Sequence, residues 1–89
     1  MYLHLGGDVV VSFQEIIGIF DARLIEGNDD NQRFMDVARS HSRIRSEVPK
    51  DDRKSVVVTT TGVYTSAISS LTLQKRVANV QWGLQTEAV

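Results

Sequence analysis

The first 21 residues constrain the fold most, because short apolar runs alternate there with two clear breaks. Residues 2–5 predict a β-strand, and Gly6-Gly7-Asp8 supplies residues that readily adopt the positive φ of a tight hairpin turn. Residues 8–13 predict a second strand, and residues 16–20 predict a third. We therefore expect the chain to begin with an antiparallel β-meander.

The third of these strands carries apolar side chains on both faces. Strand alternation places Ile16 and Phe20 on one face and Ile17 and Ile19 on the other. Such a strand is typical of a central position that is covered on both sides. A chain of 89 residues has only a small core. We therefore expect one of the two covers to be a second subunit, with Ile17 and Ile19 as candidate interface residues of a homo-oligomer.

The middle of the chain predicts one helix between two polar loops, which span residues 21–28 and 46–54. Apolar side chains recur there at i, i+3, i+4 and i+7, which is the spacing of an amphipathic helix. The residues with this spacing are Phe34, Val37, Ala38 and His41. We therefore predict a helix over residues 30–42, with these side chains on its apolar face.

The last third of the chain predicts a second β-hairpin followed by a helix. β-Branched residues dominate residues 55–60 and 63–66, and Gly62 ends the turn between them. Ser69 or Ser70 is placed to cap the last helix. Its apolar stripe consists of Leu73, Val77, Val80 and Leu84. The sequence thus predicts an α+β fold in a single domain over residues 1–89: an N-terminal meander, a helix, a hairpin and a C-terminal helix.

Composition excludes several classes of protein. The chain contains no cysteine, which excludes disulfides and cysteine-based metal sites. No apolar run approaches the ~20 residues that cross a membrane as a helix. The first residues also lack the basic and apolar regions of a signal peptide. These features favour a cytoplasmic location and no membrane partner.

No group of residues has the spacing of a catalytic, cofactor or metal site. His4 and His41 fall in different predicted elements, without carboxylates at metal-ligand spacing. The glycines match neither a phosphate-binding loop nor a dinucleotide fingerprint. Asp51-Asp52 is flanked by cations on a polar loop, where carboxylates are ordinary ionised surface groups. We therefore expect no enzyme activity, no cofactor and no bound metal.

Charge is distributed unevenly, although the net charge is only -1. Residues 1–32 carry one basic side chain against six acidic ones, whereas residues 33–54 carry seven basic side chains against four. Arginine and lysine bind phosphates, so this middle region is the candidate nucleic-acid surface. The candidate DNA-binding residues are Arg43, Arg45, Lys50, Arg53 and Lys54. The alternative is a solvated helix face and loop.

Trp82 could stack a base, but a core position is the more common role for such a side chain.

Four segments resemble one known family over residues 1–77. They are MYLHLGGDVVVS at the start, EIIGIFD in the third predicted strand, KSVVVTTTGVYTS in the second hairpin and SSLTLQKR at the last helix. In order and spacing they resemble the RemA/RemB family of bacterial extracellular matrix regulatory proteins, and within it the RemB branch. The resemblance implies a small cytoplasmic regulator of biofilm matrix genes that assembles as a closed homo-oligomeric ring.

The resemblance also implies DNA binding, but the family's arginines carry over only in part. RemA-type members bind DNA through two neighbouring arginines in the loop before the second hairpin and one at the start of the third strand. The second loop arginine corresponds to Arg53, whereas the first falls on Asp52 and the strand arginine on Glu15. Two functions therefore stay open: weak, salt-sensitive DNA binding by an oligomer, and a ring-forming protein-interaction module without DNA affinity. A RemA-type relative is a further possible partner.

Overall fold

The computed structural model describes the backbone of residues 1–87 and the side chains of residues 1–79. Its strands and helices are β1 (Tyr2–Gly6), β2 (Val9–Ser12), β3 (Ile16–Asp21), α1 (Ala22–Glu26), α2 (Asp29–Ser40), β4 (Ile44–Ser46), β5 (Ser55–Thr59), β6 (Gly62–Ser66) and α3 (Ser70–Glu87). The α+β class is confirmed. The predicted side-chain roles of Val80, Trp82 and Leu84 lie outside the described residues.

The strands form two sheets, so the predicted N-terminal meander is wrong. β1 and β2 pair as an antiparallel hairpin, whereas β3 joins a four-stranded sheet of order β3-β5-β6-β4. A turn of 3-10 helix at Phe13–Glu15 separates β2 from β3 and redirects the chain. The backbone amide of Thr60 donates to the carbonyl of Glu15 at 2.9 Å, which ties this turn to the end of β5. The break at Gln14-Glu15 therefore marks a change of sheet, which local sequence does not distinguish from a simple turn.

β3 is an edge strand, which corrects the prediction of a central one. Ile16 pairs with Thr59 and Gly18 pairs with Val58, so Ile17 is the extra residue of a β-bulge. The bulge interrupts the alternation of side chains. Ile19 consequently packs against the core, while Ile17 is 67% exposed. The prediction that Ile17 and Ile19 share a face is therefore wrong.

Two short elements were not predicted from the sequence: α1 lies in the first predicted loop, and β4 lies between the predicted helix and the second loop. Residues 21–28 contain α1, which begins after Asp21 because the Asp21 carboxylate accepts a hydrogen bond from the Arg23 amide at 2.9 Å. The second element is β4, a three-residue strand that ends at Ser46 and pairs in parallel with β6. Elements this short carry too few residues for a periodic pattern to show.

The remaining elements match the sequence predictions within one or two residues. α2 covers the predicted helix, and β5 with β6 forms the predicted second hairpin. The amide of Thr72 donates to the hydroxyl of Ser69 at 3.2 Å, which makes Ser69 the cap of α3. The predicted core-facing side of α2 is, however, wrong in part. Met35 and Ala38 are buried, whereas Phe34, Val37 and His41 are exposed.

The four-stranded sheet lies between two separate cores. One face packs against the β1–β2 hairpin and α3, with buried Leu3, Leu5, Val11, Val57 and Leu73. The other face packs against α1 and α2, with buried Ile25, Met35, Ala38, Val56 and Val63. Val56 and Val57 are neighbours in β5 and have no exposed surface. β5 is therefore the strand that is covered on both faces, the position that the sequence had predicted for β3.

Gly62 occupies a position that another residue would strain, which leads to a stability prediction. Its φ is +151°, and an added Cβ would lie 2.5 Å from the carbonyl oxygen of Arg43. We expect Gly62→Ala to lower the free energy of unfolding by about 2–3 kcal/mol, measured by urea denaturation. Gly7→Ala is the matched control, because Gly7 has φ +56° but open space around it. Its expected cost is only about 1 kcal/mol, and equal losses in both variants would contradict the proposed clash.

Candidate nucleic-acid and assembly surfaces

One carboxylate joins two arginines beside the second predicted loop. The Oε1 atom of Glu47 accepts from Nη2 of Arg39 at 2.7 Å and from Nη2 of Arg53 at 2.8 Å. Arg39 comes from the last turn of α2, while Glu47 and Arg53 flank the 3-10 turn Lys50–Asp52. No sequence pattern marks this cluster, because Arg39 and Glu47 lie eight positions apart and no motif relates them.

Arg53 is held inward rather than presented to solvent. Its side chain is only 12% exposed, and its Nε atom is buried without a hydrogen-bond partner. Nη2 also lies 3.5 Å from the carbonyl oxygen of Val48. Arg53 is therefore the candidate DNA-binding residue whose contact with Glu47 must break before its side chain can reach a phosphate.

Two carboxylates have a lowered pKa for the same physical reason. Hydrogen bonding to Arg39, followed by the charges of Arg39 and Arg53, holds the pKa of Glu47 below its ordinary value. Asp21 receives hydrogen bonds from the side chain and the amide of Arg23, which lower its pKa to about 2. Both groups therefore stay ionised in weak acid, where a free carboxylate would begin to take up a proton.

Arg43 and Arg45 lie beside one end of β6, and Lys54 lies beside the other end. The Nε atom of Arg45 donates to the carbonyl of Thr61 at 2.9 Å, and the carbonyl of Arg43 accepts from Val63 at 2.8 Å. The amide of Lys54 instead bonds to Ser66, at the far end of the strand. β6 has five residues, so its two ends lie about 13 Å apart.

These placements divide the candidate cations in a way that the sequence did not show. Arg43 and Arg45 are exposed next to Gly62, and Lys50 and Lys54 are exposed in the segment before β5, where they line different clefts. We call these the two cation pairs. Asp52, also exposed, lies in the 3-10 turn between the two lysines. The structure thus does not bring the five predicted residues into one patch.

A cluster of exposed apolar side chains lies at the β3 edge and the adjoining helices. It consists of Ile17, Phe20, Leu24 and Phe34, and we call it the apolar patch. These side chains line a groove of about 390 Å³ above Val56 and Val58. Val37 lies one turn beyond Phe34 on α2 and is also exposed. Sequence reasoning assigned Ile17 to a surface of this kind but missed the other three, because they come from elements whose relative placement is tertiary.

The histidines and the helices add no further functional group within the described part of the chain. The Nδ1 atom of His41 lies 2.9 Å from the carbonyl oxygen of Val37, at the end of α2. Among the described residues, no three His, Asp or Glu side chains are grouped closely enough to hold a metal ion. No described helix is both long and apolar enough to cross a membrane.

The Glu47 cluster predicts a specific pH dependence of stability. The folded-state pKa of Glu47 lies below the ordinary value of 4.5. Its ionised form therefore stabilises the fold above that pH, and the contribution is lost as pH falls through the folded-state pKa. We expect Glu47→Gln to unfold at lower urea concentration than wild type at pH 7, and the difference to shrink in acid. Glu26→Gln is the control, and a difference that stays constant with pH would contradict the assignment.

Comparison with known proteins agrees with the sequence resemblance. Residues 2–77 match the family model of RemA-like proteins, described as extracellular matrix regulatory protein A-like. The chain is also similar to extracellular matrix regulatory protein B of Bacillus subtilis (strain 168). The two are 40% identical over 76 residues, which cover 85% of this chain and 89% of that protein. The chain therefore belongs to the RemA-like family of extracellular matrix regulatory proteins.

Proposed function

We propose that this chain is a cytoplasmic, non-catalytic regulator of matrix gene expression that works as a homo-oligomeric ring and binds DNA weakly through phosphate contacts. Membership of the extracellular matrix regulatory family supports the regulatory role. The apolar patch is the observation that supports assembly. The two exposed cation pairs support phosphate binding.

The apolar patch favours contact with a second copy of the chain. Large apolar side chains that cluster on a surface are typical of protein interfaces. Gln74 donates to the carbonyl of Ile19 at 3.1 Å, which occupies one acceptor on the open edge of β3. Contact at this edge is therefore expected through side chains rather than through addition of a strand.

A second exposed apolar group supports a ring rather than a simple dimer. Met1, Tyr2 and Val10 are exposed on the hairpin, which covers the opposite face of the four-stranded sheet from α1 and α2. Two unlike apolar surfaces on opposite sides of one chain suit a head-to-tail contact. Contacts of that kind close into a ring when the rotation between subunits allows it.

DNA binding rests on repetition of modest contacts. Each subunit offers Arg43 with Arg45, and Lys50 with Lys54, which is too little charge for tight binding by one copy. A ring repeats these groups, and several weak contacts made together give avidity. Glu15 and Asp52, which stand at family arginine positions, reduce the affinity.

The second candidate function is a protein-interaction module without DNA affinity. The contact between Arg53 and Glu47 favours this second function. Arg53 is the one arginine that matches the family positions, and it is already bonded within its own fold. In that case the apolar patch binds a partner protein, of which a RemA-type relative is one candidate.

The assembly prediction concerns Ile17. We expect light scattering at micromolar concentration to show several subunits for wild type and a monomer for Ile17→Glu, because a buried unpaired charge opposes association. Leu71→Glu is the matched control, since Leu71 is 60% exposed but lies on α3, away from the patch. Ile19→Glu places a charge against the core that contains Leu3 and Val57, and it should unfold the chain instead.

The outcomes of this experiment separate the roles of the two isoleucines. A monomeric wild-type protein would contradict homo-oligomerisation. An Ile17→Glu protein that keeps the wild-type mass would place the interface elsewhere on the surface. Circular dichroism shows whether each variant is folded before its mass is interpreted.

The DNA prediction concerns salt dependence. We expect weak binding of assembled protein to any duplex at about 50 mM salt, with log affinity falling by roughly 0.9 per phosphate contact for each unit of log salt. Replacing Arg43 and Arg45 with alanine should weaken binding to all sequences equally and flatten this slope. Asp52→Arg should tighten binding. Fluorescence anisotropy with a labelled random duplex measures each value.

Arg33→Ala is the control for this series, because Arg33 is an exposed cation on α2 that is not among the candidate DNA-binding residues. Arg53→Ala should also weaken binding, but it breaks the contact with Glu47 and therefore requires a parallel measurement of stability. No binding of any duplex by the assembled protein at about 50 mM salt would favour the protein-interaction module.

A further inference from the structure

A cleft next to the arginine–glutamate cluster has the features of a small-ligand site. It has a volume of about 620 Å³ and lies between α1, α2 and the segment of residues 47–53. Arg39, Lys50 and Arg53 line it with positive charge, against the carboxylates of Glu26 and Glu47. The cations therefore exceed the carboxylates by one.

The two arginines in this cleft have more donors than their acceptors use. A guanidinium carries five N–H donors, yet Arg39 and Arg53 share the single Oε1 atom of Glu47. The other contact of Arg39 is a longer one, 3.4 Å to Asp36. Nε of Arg53 is buried without a partner.

One part of the cleft wall is apolar. Ile25, Met35, Val48 and Pro49 line it, and Ile25 and Met35 belong to the second core. Ligand sites typically combine such a wall with a few convergent polar groups in a volume of ~300–1,000 Å³. An inorganic ion alone would leave the apolar wall uncovered, whereas an organic group attached to the anion would cover it.

We propose that this cleft binds a small organic phosphomonoester whose phosphate takes the position of the Glu47 carboxylate between Arg39 and Arg53. A ligand that displaces Glu47 must offer more than its single negative charge. A phosphomonoester carries about 1.5–2 negative charges at neutral pH and several acceptor oxygens. Arginine forks match those oxygens in paired hydrogen bonds. Lys50, for which the described side chains provide no ion-pair partner, adds a third positive charge.

In the free protein, the Glu47 carboxylate therefore occupies the position that the ligand phosphate takes in the complex. It lies between the two guanidiniums and bonds to both. Displacement of Glu47 frees a carboxylate that is already partly exposed and lets it return to water. This proposal does not depend on DNA binding, and its test contains no DNA.

The test uses isothermal titration calorimetry of the full chain with three probes: adenosine monophosphate, inorganic phosphate and adenosine. We expect adenosine monophosphate to bind with a Kd below about 1 mM, phosphate to bind more weakly and adenosine not to bind. Adenosine monophosphate should also raise the thermal unfolding midpoint with concentration. No binding of adenosine monophosphate at about 10 mM, or equal binding of adenosine, would overturn the proposal.

Three variants locate the binding to this cleft. Arg39→Gln should lower the affinity for adenosine monophosphate at least about tenfold, because a hydrogen bond to a charged group contributes roughly a factor of ten or more to affinity. Arg39 is 48% exposed on a helix, so this variant should fold. Glu47→Gln should tighten binding, because the internal competitor loses its charge. Arg33→Gln, on the same helix but outside the cleft, should leave the affinity unchanged.

The variants also show what would overturn the proposal. Equal losses in Arg39→Gln and Arg33→Gln would mean attraction by overall charge rather than a site. Weaker binding by a folded Glu47→Gln protein would show that Glu47 supports the ligand instead of competing with it. Wild-type affinity in both Arg39→Gln and Glu47→Gln would show that the cluster is a structural ion pair only.

Discussion

Burial of β5 on both faces is the constraint on which the rest of the structure depends. Val56 faces the core under α1 and α2, and Val57 faces the core under the β1–β2 hairpin and α3. Neither side chain retains exposed surface. In a chain of 89 residues, each core is small, so neither layer could be removed without exposing β5. The hydrogen bond of Ser66 to the carbonyl of Leu5, 2.6 Å long, further ties the hairpin to the sheet beneath it.

A central β5 leaves β3 and β4 at the two edges of the sheet, and the surfaces with functional potential lie beside those edges. The β3 edge carries the apolar patch, because the bulge at Ile17 turns that side chain outward next to Phe20. The β4 edge carries Arg43 and Arg45 around the turn at Gly62. Phe34 of the apolar patch and Arg43 nevertheless line one groove on the α2 face of the sheet, so the two surfaces adjoin each other.

The arginine–glutamate cluster connects α2 to the loop before β5. Because Glu47 bonds to Arg39 of α2 and to Arg53, it fastens the loop to the helix. A largely buried guanidinium needs such a partner, since an unpaired buried charge is strongly destabilising. Arg53 thus has a structural role in the free chain. Any role in ligand binding requires an anion that replaces Glu47.

The sequence by itself determined the α+β class, α2, the second hairpin and the cap of α3, because helical spacing, β-branched runs and a capping serine are local signals. It also indicated an outward role for Ile17 and, through four short motifs, the family. Only the tertiary structure decided that β3 lies at an edge, since strand order depends on which partner offers the better ladder. The bulge that separates Ile17 from Ile19 arises from the same pairing. The contact of Arg39, Glu47 and Arg53 is likewise tertiary: ion pairs between distant residues leave no period or motif in a sequence, and form only where folding brings the charges together.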